Sequence, residues 1–157
     1  MKMTKQFALS KLWIPAAFLA ALGISGCAQN DLVVAPPAPQ PLSMAIKLCD
    51  TGEQGCTGST SFSVGTIRDL SLGVDWQNVP GGTHTQEIAL VQPNGVVYQT
   101  VSHGFAIPDG TTGSSSLNDV IPVAGTFITQ RSLTGDWSVE VSLDGKLIRS
   151  EKVQFGL

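Results

Sequence analysis

The side chains of this 157-residue chain that can do chemistry are few: three cysteines and two histidines stand out. A thiol can be acylated, oxidised or bound to a metal, and its surroundings decide among these. Cys27 directly follows Leu22-Gly23-Ile24-Ser25-Gly26, the last three of which are compact enough for a peptidase groove. Cys49 and Cys56 enclose Asp50-Thr51-Gly52-Glu53-Gln54-Gly55, whose two glycines let the segment double back. His84 and His103 lie beside Gly82 and Gly104, and with Asp109 or Glu87 they would supply zinc ligands if folding gathered them. Closed zinc sites take four protein ligands and no C-x-x-C is present, so solvated histidines and no metal are expected. Tyr98 and Phe105 form a candidate ligand face, able to stack on a sugar beside the polar 108–118 stretch.

Catalytic patterns are missing. The chain has no G-x-S-x-G, S-x-x-K, H-E-x-x-H, Walker loop or dinucleotide fingerprint, and no EF-hand surrounds Asp109-Gly110. Nothing in the spacing points to a Ser-His-Asp arrangement assembled from distant positions. The expectation is a protein that is not an enzyme and carries no cofactor.

The N-terminus has the three parts of an export leader. Lys2, Lys5 and Lys11 are basic, Leu12–Leu22 is largely apolar, and Ile24-Ser25-Gly26 precede the thiol. The apolar run is too short for an ordinary bilayer crossing and contains Pro15. Leu22-Gly23-Ile24-Ser25-Gly26-Cys27 resembles the lipobox of bacterial lipoproteins. That resemblance implies a signal peptide over 1–26, cleavage before Cys27, and lipid on Cys27 as the membrane anchor. Several acyl chains hold durably where one holds only marginally. Ala28 after the modified cysteine implies an outer-membrane destination in the cell envelope.

Cleavage there removes 26 of the 157 residues and leaves 131. Loss of three lysines from nine basic residues leaves six against twelve acidic ones, a net charge of −6. Such a surface repels phosphate backbones, so nucleic acid is not an expected partner. With Cys27 lipidated, Cys49 and Cys56 remain as a pair. A disulfide is favoured over metal, because two thiols at this spacing leave a metal short of ligands.

After Cys27 come Leu32-Val33-Val34-Ala35 and Pro36-Pro37-Ala38-Pro39-Gln40-Pro41. Four prolines in six residues cannot sustain a helix or a central strand, so 27–42 reads as a semi-rigid spacer. A dozen extended residues at ~3 Å each hold a domain tens of Å from its anchor. From Ser43 the apolar residues recur with period two, the strand signal. Leu70, Leu72, Val74 and Trp76 share one face, Asn78-Val79-Pro80-Gly81-Gly82 breaks the run, and Ile88 and Leu90 resume it. Pro93-Asn94-Gly95 predicts a turn, 96–101 a returning strand, and 108–118 a long loop. Val120–Val123 is apolar, and 125–130 is expected to extend it. Trp137, Val139, Val141 and Leu143 alternate, Asp144-Gly145 suits a two-residue turn, and Leu147, Val153, Phe155 and Leu157 complete the hairpin. Both tryptophans continue apolar stripes and are expected in the core.

Asp69-Leu70-Ser71-Leu72-Gly73-Val74-Asp75-Trp76 with Pro80-Gly81-Gly82 resembles a fibronectin type III strand ending in its core tryptophan. Gly135–Val141 through Asp144-Gly145 resembles the closing hairpin of immunoglobulin-like and filamin-like domains. The resemblance spans 43–157 and implies an all-β, antiparallel immunoglobulin-like β-sandwich. The expected function is a lipid-anchored envelope module for interaction or structure, its partner an envelope protein. Ligand or glycan binding at the cell surface is the alternative.

Overall fold

The computed structural model describes residues 38–52 and 56–157. The segment expected to be a signal peptide, 1–26, the expected lipidation residue Cys27 and the expected spacer as far as Pro37 lie outside the described residues. The strands are β1 (Ser43–Asp50), β2 (Ser61–Ser63), β3 (Asp69–Val91), β4 (Val97–Pro122), β5 (Gly135–Leu143) and β6 (Lys146–Gly156). One helical turn, α1 (Phe127–Gln130), separates β4 from β5. The described chain is therefore nearly all β, and among its residues no helix is long and apolar enough to cross a membrane.

Two unusually long strands organise the rest. The first half of β3 pairs antiparallel with β1 on one side (Ile46↔Val74) and with the second half of β4 on the other (Leu117↔Val74). The second half of β3 pairs with the first half of β4 (Ile88↔Val101) and with β5 (Ile88↔Val141). Hairpin partner β6 continues the path from β5, and short β2 joins β6 in parallel. Register shifts between Trp76 and Val79, and between Pro80 and Gly82, mark where the β3–β4 pair changes partners. Such bulges bend a strand and increase its twist.

Period-two burial explains which face each strand presents. Leu70, Leu72, Val74 and Trp76 are all fully buried, as are Ile88, Leu90, Val139, Val141 and Val153, and they join one core cluster. Trp137 stands edge-on to Phe155 with ring centroids 5.6 Å apart. Turn chemistry follows the residues. Gly95 takes φ +82° in the loop after β3, and Asp144 and Gly145 take φ +51° and +76°, the left-handed pair a two-residue hairpin turn requires.

Four expectations need correction. Asn78–Gly82 does not end the strand; it forms the bulged middle of β3, with Asn78 at φ +58°. Most of 108–118 is strand, because Thr112, Gly113 and Ser115 pair with Pro80, Val79 and Trp76. Small inward residues hid that alternation; within it, 108–111 and Ser114 have no register partner on β3. The 125–130 stretch is not strand but holds α1, whose Thr126 side chain caps the Ile128 N–H. Leu147 and Leu157 are exposed, 53% and 92%, since the hairpin carries them past the core.

Cys49, buried near the end of β1, is disulfide-bonded to Cys56 with Cα atoms 5.5 Å apart. A loop this short constrains the unfolded chain by ~2.5 kcal/mol. Cys49→Ser/Cys56→Ser is accordingly expected to lower the urea-unfolding free energy by about 2.5 kcal/mol and to bring the midpoint down with it, and reductant should reproduce the shift in the parent protein. Identical midpoints for the two would show that the bridge contributes nothing.

Candidate functional site

Three groups of side chains and one length of backbone are candidates for function. The first group is a clamp at His84. Its Nδ1 lies 2.8 Å from Asp144 Oδ2 and its Nε2 lies 2.9 Å from the Pro80 carbonyl oxygen. Both neighbours only accept, so both ring nitrogens must donate and the bound form is the imidazolium. The side chain is 11% exposed and its ring lies 5.5 Å from that of Phe105. Asp144 also accepts the Thr85 N–H at 2.8 Å, so one carboxylate ties the β5–β6 turn to β3. Hydrogen bonding to Asp144, then to Pro80, raises the His84 pKa above its ordinary 6.5. Hydrogen bonding to His84, then to the Thr85 N–H, holds Asp144 below its ordinary 3.8.

The clamp predicts a plateau in stability. The His84 contribution is full below pH 6.5 and disappears as pH rises through the raised folded value. The Asp144 contribution is full above pH 3.8 and disappears as pH falls through its lowered value. Melting temperature should thus fall as pH rises from 6.5 through the raised folded value in the parent, and lose that limb in His84→Asn. An unchanged limb in the variant would assign the pH dependence to other groups.

The second group is a buried polar chain. Trp76 Nε1–H donates to Gln86 Oε1 at 2.7 Å, and Gln86 Nε2–H donates to Asp119 Oδ2 at 2.7 Å. His103 Nδ1 stands 3.4 Å from Asp119 Oδ1. Gln86 is fully buried and Asp119 is 8% exposed, whereas the His103 side chain is 45% exposed. A carboxylate behind an imidazole is half of a general-base arrangement. Among the described residues no hydroxyl is hydrogen-bonded to that ring. Nor, among those residues, do any three His, Cys, Asp or Glu side chains gather to hold a metal ion. His84 and His103 serve different carboxylates, and His84 is not the solvated residue its flanking glycines suggest.

The aromatic candidates form the third group. Tyr98 is the extra residue of a bulge between Leu90↔Gln99 and Val91↔Val97. Its ring meets Trp137 edge-on at 5.6 Å, and it borders a shallow depression with Gln92, Phe127, Arg131 and Leu133. Phe105 lies against His84. Both rings are half-buried and pack against the core cluster, each with its own partner.

The backbone candidate is β4. Along Val97–Pro122 it pairs with β3 alone, so among the described residues its other edge has no strand partner. Alternate residues of an antiparallel strand direct N–H and C=O away from the neighbour, and here those groups face outward. The edge lacks the usual protection: Val97–Ile107 contains no Lys, Arg, Asp, Glu or Pro. Val96 and Val97, at its start, are 54% and 52% exposed.

No sequence signal marked the edge or the clamp, both products of long-range pairing. The buried chain did leave one. Gln86 shares the parity of Ile88 and Leu90, and Asp119 that of Leu117 and Ile121, so each is a polar residue in an apolar register.

No protein-family model and no curated protein sequence matches the chain. Among solved structures it is similar to an alkylpurine DNA glycosylase from Pseudomonas fluorescens, at 13% identity and TM-score 0.50, over 74% of this chain. The chain spans 30% of that glycosylase. It also matches an immunoglobulin-like protein from Pseudomonas aeruginosa, at 11% identity and TM-score 0.42, over 76% of this chain and 100% of the other. A β-glucosidase from Listeria innocua matches at 12% identity and TM-score 0.48, over 82% of this chain and 20% of the enzyme. At such identities the likeness is one of fold alone.

Proposed function

We propose that this chain is a lipid-anchored protein of the cell envelope that presents a non-catalytic immunoglobulin-like sandwich for interaction. The sandwich reading is supported by the division of β3 and β4. One set of strands is β1, the first half of β3 and the second half of β4; the other is the first half of β4, the second half of β3, β5, β6 and β2. Two such sets sharing one core cluster are what a sandwich reading requires. Lipid on Cys27 and the proline-rich spacer would confine the domain near a membrane and raise its concentration toward neighbours there.

The observation that carries the interaction role is the unpartnered outer edge of β4. Its backbone groups offer strand addition, in which an extended segment supplies the missing ladder. The non-catalytic reading is supported at His84, whose two ring nitrogens are both engaged, by Asp144 and by the Pro80 carbonyl oxygen. Mass spectrometry of the mature N-terminus tests the anchor: a diacylated or triacylated Cys27 is expected, and an unmodified cysteine or a different cleavage point contradicts it. Crosslinking in native membranes tests the role. Adducts through β4 to envelope-resident protein are expected, and their absence would remove the interaction reading.

A further inference from the structure

We infer that the occupant of the free β4 edge is a second copy of this chain, paired antiparallel through Val97–Ile107 to make one continuous sheet across two domains. This rests on the interaction reading above and names the partner.

Charge is the first reason. The sequence from Ile88 to Pro108 contains no Lys, Arg, Asp or Glu, although the protein as a whole is acidic. Two copies of an acidic domain repel over most of their surfaces, and like charges placed directly opposite on paired strands are destabilising. The β4 edge is a face on which no carboxylate would meet its own copy. A basic partner, by contrast, finds no acidic side chain on Val97–Ile107 itself; across the ladder, Glu87 of β3 stands opposite Ser102.

Side-chain chemistry is the second. Gln99, Val101, His103, Phe105 and Ile107 follow one parity of the strand, and Val101 and Phe105 are half-buried against the core cluster. Antiparallel self-pairing about Ser102 sets Val101 opposite His103 and Gln99 opposite Phe105, extending that face with aromatic and β-branched cross-strand neighbours. Exposed Thr100 and Ser102 would occupy the opposite face, where polar residues meet water. Two-fold pairing of identical patches is also the commonest closed assembly, because it leaves no edge for a third copy. Tethering on one membrane favours it by mass action.

The test uses the full-length protein in its native membrane and extracted in mild detergent. A photo-crosslinking residue at Ser102 should give an adduct of twice the protomer mass, and sedimentation should give two chains per particle. Ser102→Asp and Ser102→Lys should each sediment at half that mass, while an equimolar mixture of the two restores it. Ser150→Asp places the same charge at an exposed site on β6, separated from the β4 edge by β3 and β5 in the sheet order, and should leave the dimer intact. Folding of every variant is checked by the near-ultraviolet signal of the buried tryptophans. A monomeric parent, or loss of the dimer in Ser150→Asp alone, overturns the inference. An adduct at Ser102 to a different envelope protein also overturns it while leaving the interaction reading standing. No adduct of any kind overturns both.

Discussion

Gln86→Met is expected to destabilise the domain by about 4 kcal/mol, measured as the shift in urea-unfolding free energy. Methionine matches glutamine in length and volume, so the change neither opens a cavity nor overpacks the site. What it removes is the amide between Trp76 and Asp119. The Trp76 indole N–H, on a fully buried residue, and one oxygen of Asp119, on a residue 8% exposed, are then left without partners. Each stranded buried polar group costs about 1–3 kcal/mol. A domain of this size holds only about 5–15 kcal/mol in all, so the variant should sit near the edge of folding at body temperature. Adding Asp119→Leu removes the stranded carboxylate, and the double variant should recover part of the loss. That coupling separates polar desolvation from general disruption of the core. A loss below about 1 kcal/mol in the single variant would mean that water enters and serves these groups.

The second large effect is expected at Gly81→Ala. An added Cβ there would lie 2.5 Å from the Pro108 carbonyl oxygen, 2.9 Å from the Gly110 nitrogen and 3.0 Å from the Asp109 Cα. All three are backbone atoms, so no side chain can swing aside to make room. Gly81 faces the four residues 108–111 that leave the β3–β4 ladder, and Thr111 Oγ1 donates to the Pro108 carbonyl within that excursion. Forcing a methyl group between them should cost about 3 kcal/mol and shift the bulge. Gly104→Ala is the comparison. Its new Cβ would meet only the His84 carbonyl oxygen, at 3.9 Å, an ordinary contact. Strand glycines cost conformational entropy, so Gly104→Ala should be neutral or slightly stabilising. Equal losses at the two sites would argue that propensity, not the close approach, governs both.

Strand identity in this chain is a local property, and it was legible. Leu70 to Trp76 and Trp137 to Leu143 alternate strictly, and a period-two stripe can bury its apolar side only as a strand. The Asp144-Gly145 and Pro93-Asn94-Gly95 turns follow from the left-handed conformations those residues tolerate. Segment 108–118 was illegible for the matching reason: Gly113 and Ser115 occupy inward positions without an apolar side chain to announce it. Gly113 is small because Ile107 comes within 3.0 Å of where its Cβ would stand. The 125–130 turn was misread because Phe127 and Ile128 suit a strand by propensity, while Thr126 capping and burial of Ile128 select a helical turn.

By itself, then, the amino-acid order determined the all-β class, the two core tryptophans, the hairpin turns and the pairing of Cys49 with Cys56, because each depends on residues near one another along the chain. Tertiary structure alone decided that Asp144 would clamp His84 across 60 positions, and that Gln86 would bridge Trp76 to Asp119. It also decided that β4 would leave one edge unpaired among the described residues. Those outcomes depend on which strands become neighbours. Strand order is set by loop closure and by how bulged β3 turns from one set of partners to the other, and period-two patterning carries no record of either.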